Sequence, residues 1–313
     1  MDTLDAHARG DVDVARLVAG ARQRGRRLRR RRQALVSVGA AAVVAAVFLV
    51  LPIGARGTLT LPAADQPGAA QQPAVVGEDP TTVHFTADQL VDDADHATWT
   101  TGRGTESVEF QGKARFVLAR DVTDVRQALA SSGKPQPEAP VRIGARPGVA
   151  WADEVPGGGA WLWFVKWQPV DGLWGRLEIY APSRSQAVAA ATRIRFDAAR
   201  RCTAPFRLDS LPSGARMLEC SVTLSSDDSV TDGSLVVGDA NNRWLTVRAQ
   251  RLDRGLGSPA GNLKAGPYQV RRQGSTILEM TVKPHHVELF LDGQGNGYSE
   301  QTALTVLAGY RPT

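Results

Sequence analysis

Five histidines, His7, His84, His96, His285 and His286, and two cysteines, Cys202 and Cys220, are the side chains best suited to proton transfer, metal binding or thiol chemistry near neutral pH. No Gly-x-Ser-x-Gly elbow, which would present a serine nucleophile on a strained turn, occurs in the chain. Ser131-Ser132-Gly133-Lys134 matches the Ser-x-x-Lys of penicillin-binding enzymes. It falls at the end of an expected helix rather than at a start, and the Ser-x-Asn and Lys-Thr-Gly partners are missing, so it reads as a turn. Asp88, Asp92 and His96 stand at i, i+4 and i+8, with Asp93 and Asp95 beside them. On a helix they would share one face, and an Asp–His pair at that spacing can hold a metal. A solvated acidic face near a helix start explains the same residues, and the run into Ala97-Thr98-Trp99-Thr100 looks like a strand. Asp292-Gly293-Gln294-Gly295-Asn296-Gly297 suggests a phosphate-cradling turn or a calcium loop. Tyr298 occupies the third glycine position of the dinucleotide fingerprint, and Ala303 stands where a calcium loop needs glutamate. The segment therefore reads as a glycine turn entering a helix capped by Ser299. On these grounds the sequence assigns no catalytic residue, no cofactor and no metal. A hydrolase built on His285, His286 and Asp292 remains as a distant alternative.

The most unusual candidate is aromatic. Trp161, Trp163 and Trp167 alternate with Val165 along one strand, Trp174 sits on the returning strand, and Trp151 lies just upstream. Exposed tryptophans can stack on a sugar ring or hold an apolar ligand. An apolar stripe beside an Ala-rich helix is more simply core. Trp161, Trp163, Trp167 and Trp174 are the candidate ligand-binding residues, with the core reading open beside them.

The elements that must position these residues begin with a charge asymmetry. The chain of 313 residues carries a net charge of +5. Residues 1–33 hold ten Arg and four Asp, a net of +6, which leaves the remainder at −1. The larger part has no basic field that would favour nucleic acid. Ala34 to Ala55 is 22 residues without a charge, enough to cross about 30 Å of hydrocarbon. Arg22, Arg24, Arg26, Arg27, Arg29, Arg30, Arg31 and Arg32 stand directly before it, and after Arg56 no Lys or Arg occurs until Arg103. The positive-inside rule puts the N-terminus in the cytoplasm and the C-terminal part outside, with the arginines against anionic headgroups. A rival reading is a twin-arginine export signal: Arg31-Arg32-Gln33-Ala34-Leu35 loosely fits that pattern, with cleavage after Ala55. The length of the apolar run favours an uncleaved anchor. Within the tail, Val14, Leu17, Val18 and Ala21 fall on one helical face. A cytoplasmic partner such as a sigma factor is the alternative function this allows, although the tail has no Cys for a zinc site and is short for a domain.

Residues 56–81 are rich in Pro, Ala and Gln without an apolar period and read as a linker. From Thr82 the pattern becomes that of a folded domain. Ala114 to Ala119 reads as a strand and Val122 to Ala130 as a helix. Gly159 to Trp167 and Leu173 to Tyr180 read as a hairpin through Pro169-Val170-Asp171-Gly172. A helix follows from a Ser183 cap to about Arg200, with Ala187, Ala190, Ile194 and Ala198 inward. Ala215 to Leu224, Ser234 to Gly238, Arg243 to Arg251, Tyr268 to Arg272, Ile277 to Val282 and His286 to Leu291 read as strands, before a helix from Ser299 to Gly309. Val149–Arg195 and Tyr268–Gly309 share the order strand, strand, strand, helix. The class expected is α+β, an N-terminal transmembrane helix followed by antiparallel sheets with a few packed helices. The echo allows two similar lobes, 82–201 and 202–313.

An even cysteine pair in an oxidising compartment forms a disulfide. Cys202 and Cys220 enclose seventeen residues and lack the Cys-x-x-Cys spacing of a catalytic pair. Their bridge is expected to staple the end of the long helix to a strand and to link the two lobes.

The layout resembles uncharacterised actinobacterial single-pass membrane proteins with an Arg-rich cytoplasmic tail, some of them encoded near extracytoplasmic-function sigma factors. The residues carrying the resemblance are Arg26-Arg27-Leu28-Arg29-Arg30-Arg31-Arg32-Gln33, the Ala/Val-rich span, and Trp167-Gln168-Pro169-Val170-Asp171-Gly172-Leu173-Trp174 leading to Phe206 and Leu211-Pro212. The resemblance implies the topology and brings no settled activity. The expectation is a cell-membrane protein, N-in and C-out, whose outer domain binds an envelope ligand or protein without catalysis.

Overall fold

The computed structural model describes residues 59–88, 90–126, 137–154, 161–226, 229–252, 261–291 and 297–313. The arginines of the tail, the apolar span 34–55, Ser131–Lys134 and Asp292–Asn296 lie outside these residues. Among the described residues no helix is long and apolar enough to cross a membrane.

Two short strands, β1 (Ala63–Pro67) and β2 (Thr82–Val83), come first. A meander of β3 (His96–Gly102), β4 (Thr105–Phe110) and β5 (Ala114–Ala119) follows. Four more strands, β6 (Ala139–Ile143), β7 (Arg146–Glu154), β8 (Trp161–Trp167) and β9 (Trp174–Ala181), lead into helix α1 (Arg184–Ala191) and strand β10 (Ala198–Arg201). The second half opens with β11 (Phe206–Leu208) and a meander of β12 (Arg216–Ser225), β13 (Val230–Gly238) and β14 (Trp244–Arg251). Then come β15 (Leu263–Ala265), β16 (Tyr268–Gln273), β17 (Ile277–Val282), β18 (His285–Leu291), helix α2 (Glu300–Ala308) and β19 (Tyr310–Pro312).

The main sheet has 14 strands, all antiparallel neighbours, in the order β15-β16-β17-β18-β14-β13-β12-β3-β4-β5-β9-β8-β7-β6. Read outward from its centre, each half has one order: three strands of a meander, then four strands laid down in reverse, then a helix. The echo seen in Val149–Arg195 and Tyr268–Gly309 is the last three strands and the helix of this seven-strand unit. The first strands of the two units pair antiparallel, from Ala97 opposite Leu224 to Gly102 opposite Glu219. Two like units joined through equivalent antiparallel strands are related by a local two-fold between those strands. Gly102 permits the close pairing. Its φ is +123°, and a Cβ there would lie 2.1 Å from the Leu218 carbonyl oxygen.

One face of the sheet is covered. Over the first unit lie α1 and a small sheet ordered β1-β10-β2, enclosing Phe85, Trp99, Phe116, Trp167 and Leu177. Over the second lie α2 and the β11–β19 pair, enclosing Leu245, Leu278, Leu289, Leu307 and Tyr310. Both helices start at the expected serine caps: Ser183 accepts from the Gln186 N–H, and Ser299 from the Thr302 N–H.

Four expectations change. Residues 59–81 belong to the fold rather than to a linker. Leu61, Ala69 and Val76 are buried in the first core, and β1 pairs with β10. The segment is fastened by Glu106, a fully buried carboxylate that accepts from the Gly77 N–H at 3.0 Å and the His84 N–H at 2.6 Å and meets His84 Nδ1 at 2.6 Å. Isolated apolar residues at irregular spacing, held by one long-range carboxylate, give no periodicity to read. Second, the helix after Ser183 ends at Ala191, not near Arg200. Arg195 and Thr86 exchange backbone hydrogen bonds of 2.8 and 3.0 Å, and sheet pairing takes the remainder of the expected helix. Third, within Val122 to Ala130 the described part is a short 3-10 turn, Asp124–Arg126. Fourth, Cys202 and Cys220 are bridged, with Cα atoms 6.2 Å apart, but Cys202 follows β10 instead of a helix. The bridge therefore ties the small sheet to β12, strand layer to strand layer.

Candidate functional site: a polar trough across the seam

The uncovered face of the main sheet alternates out of register with the core, and across the seam it is polar on every strand. Two rows of side chains follow from the pairing. One runs Glu109, Thr98, Thr223, Asp232, Gln250, His286, Thr281. The next runs Ser107, Thr100, Ser221, Ser234, Arg248, Glu288, Glu279, Arg271. Side chains in directly opposed positions on neighbouring strands lie about 5 Å apart, so each row is a continuous hydrogen-bonding surface.

A trough of about 1070 Å³ lies over the middle of these rows. Its walls come from both units: His96, Thr98, Glu109 and Gln111 on one side, Thr223, Ser225, Asp232, Arg248, Gln250 and Arg251 on the other. The hydroxyls of the floor are engaged with one another. Thr98 and Thr223 meet at 3.0 Å and Ser225 and Ser229 at 2.9 Å; beside the trough, in the second row, Thr100 donates to Ser221 at 3.1 Å. Arg248 places Nε 2.9 Å from an Asp232 carboxylate oxygen, and that hydrogen bond holds the guanidinium pKa above its usual value. His96 is less settled: its Nδ1 is buried without a hydrogen-bond partner. A surface of this kind can hold a polar ligand by many weak, directional contacts.

The residues singled out from the sequence are dispersed. Trp163 and Trp167 are 8% and 2% exposed and belong to the first core with Val165. Trp161 packs against the same core, half-buried. Their face of β8 is the one that α1 packs against, which agrees with the core reading held open beside the ligand-binding one. Trp174 lies on the opposite face, against Val117, Ala119 and Val125, since β9 places it in register with Ala119. Asp88, Asp92 and His96 share no helix. Asp88 bonds Thr60 and Arg200 from a turn, and His96 begins β3. His285 and His286 face opposite sides of β18, one buried against Tyr310 and the other beside Glu288 on the polar face. Adjacent strand residues cannot share one site on the sheet.

The trough was missed because each row assembles one residue from each of seven or eight strands. Alternation within a strand was the available signal. Pairing order across the seam was not.

No family model matches the chain, and no curated protein matches it. Among solved structures, two similar chains come from structures titled as MucB in complex with MucA(peri) and as the MucA/MucB complex of Pseudomonas aeruginosa. They show 16% and 15% identity and TM-scores of 0.25 and 0.24, each match covering 69% of this chain and 92% of the other. Likeness at that level defines neither the fold nor a partner for this protein.

Proposed function

We propose that the domain described from residue 59 is a non-catalytic binding domain of the cell envelope, held outside the membrane by the apolar span 34–55, and that its polar trough receives a polar segment of a partner protein. The observation that carries the reading is the trough itself, shared by the two units and floored by hydroxyls that pair with one another. A hydroxyl so paired is not poised beside a base as a nucleophile. The arginine-flanked apolar span supports an N-in, C-out topology by the positive-inside rule. The disulfide supports an oxidising compartment.

The experiment has two arms. Protease shaving of intact cells, with tags at both ends, is expected to remove the C-terminal tag and spare the N-terminal one. A photo-crosslinker at Thr98 or Thr223 in the same cells is expected to give one discrete adduct. The pair Asp232→Lys and Arg251→Glu should remove that adduct, and a crosslinker at the exposed Tyr180 should not form it. Survival of the C-terminal tag overturns the topology. Identical crosslinking from Tyr180 overturns the trough.

A further inference from the structure

Beyond the trough the two polar rows end in a compact square of side chains on β17 and β18. Glu279 stands directly opposite Glu288, and Thr281 directly opposite His286. Like charges directly opposed across strands destabilise a sheet unless something compensates. Arg271 supplies part of that compensation, placing Nε and Nη2 on one Glu279 oxygen, Oε2. The other Glu279 oxygen makes neither of these bonds. Three further observations converge on the square. His286 Nε2 lies 3.7 Å from Glu288 Oε1, too far for a hydrogen bond. Ligand atoms from Glu279, His286 and Glu288 all lie within 4.8 Å of one another. The Thr281 hydroxyl, in the remaining corner, is buried with no hydrogen-bond partner, which costs stability unless a further group comes to satisfy it.

We infer that Glu279, His286 and Glu288 form a binding site for a divalent transition-metal cation of the zinc class. Bonds of about 2.0–2.2 Å to imidazole nitrogen and carboxylate oxygen place ligand atoms roughly 3.3–3.5 Å apart in a tetrahedron. The His286–Glu288 separation is already close to that edge, so small side-chain rotations close the set. Each residue has a distinct part. His286 gives Nε2, Glu288 gives Oε1, and Glu279 gives the oxygen that Arg271 leaves free. Arg271 positions Glu279 as an outer-shell partner. A water in the fourth position would give the buried Thr281 hydroxyl, opposite His286 in the register, the partner it lacks. Glu279 is nearly enclosed, with 4% of its side chain exposed. His286 and Glu288 keep 23% and 25% exposure, so the ion has an entry path from the polar face. The two carboxylates favour a hard-to-borderline cation over copper(I), which seeks thiolate or thioether sulfur.

The test uses untagged full-length protein in detergent, freed of metal by chelator and titrated with zinc and with cobalt(II). One zinc per chain is expected, with cobalt giving visible d–d absorption that zinc displaces. His286→Gln and Glu288→Gln should each weaken binding by about 10–100-fold, and Thr281→Val by less. Asp171→Asn, at an exposed turn between β8 and β9 in the other unit, should bind as the parent does. Melting curves in chelator establish that each variant folds. The cobalt spectrum of the parent protein tests the site without any substitution. Absence of saturable binding, or equal affinity in the His286 and Glu288 variants, overturns the site.

Discussion

At the scale of single residues, the clearest consequence concerns His285. Its ring is 4% exposed as a residue, and Nδ1 meets the Tyr310 hydroxyl at 2.8 Å. Burial first, and the positive Arg251 second, hold its pKa below the usual 6.5. Burial also pushes the Tyr310 phenol upward, so the phenol stays protonated and shares one hydrogen bond with a neutral imidazole. The unfolded chain therefore takes up a proton in a window where the folded chain does not. His285 stability is full above about pH 6.5 and falls as the pH drops toward the folded value. Denaturant titrations at pH 7.5 and pH 5 should show this loss, and His285→Gln should reduce it. An unchanged acid slope in that variant would remove His285 as the cause. Tyr310→Phe should cost about 1–3 kcal/mol at neutral pH, because His285 Nδ1 is then buried without a hydrogen-bond partner.

At the scale of elements, the disulfide is the feature whose role the structure alters most. It joins the segment after β10 to β12 and lies in the first core, where Cys202 is 6% and Cys220 1% exposed. A closed loop with a separation of 18 residues is worth about 3 kcal/mol in the chain-entropy picture. Cys202→Ala with Cys220→Ala is expected to lower the unfolding free energy by about that amount, read as a lower urea midpoint, with the slope on denaturant raised as the unfolded chain expands. A loss below about 1 kcal/mol would mean that packing alone holds the small sheet in place. The helices contribute differently: each is short, capped by one serine and closed by its apolar face, so tertiary packing rather than propensity maintains it.

At the scale of the whole molecule, the two units share a sheet and are not independent. Cys220, Val222 and Leu224 of β12, the first strand of the second unit, are buried in the core of the first. The first core is therefore incomplete without the strand pairing at the seam. Residues 59–313 are therefore expected to unfold in one transition. The tryptophans report it well, because Trp99, Trp151, Trp161, Trp163, Trp167 and Trp174 lie in the first unit and Trp244 in the second. Fluorescence of the parent protein should melt together with fluorescence of a variant that keeps Trp244 alone. Two separated midpoints would show that the units fold independently.

Local patterns in the chain were sufficient for some of this. The strands at Ala114–Ala119, Trp161–Trp167 and Ile277–Val282 were legible because alternation has a period of two. The serine caps were legible because a helix start needs a side-chain acceptor at a fixed position, and the cysteine pair because two thiols have one partner choice. The 22 apolar residues and their arginines make a topology argument that needs no fold at all. What tertiary structure alone decided is long-range. Glu106 draws residues 77–84 onto the first core, sheet pairing overrides helical periodicity after Ala191, and α1 turns a tryptophan stripe into core. The polar trough and the Glu279–His286–Glu288 set exist only once strand order and register are fixed, because a row across a sheet joins residues that the sequence keeps far apart.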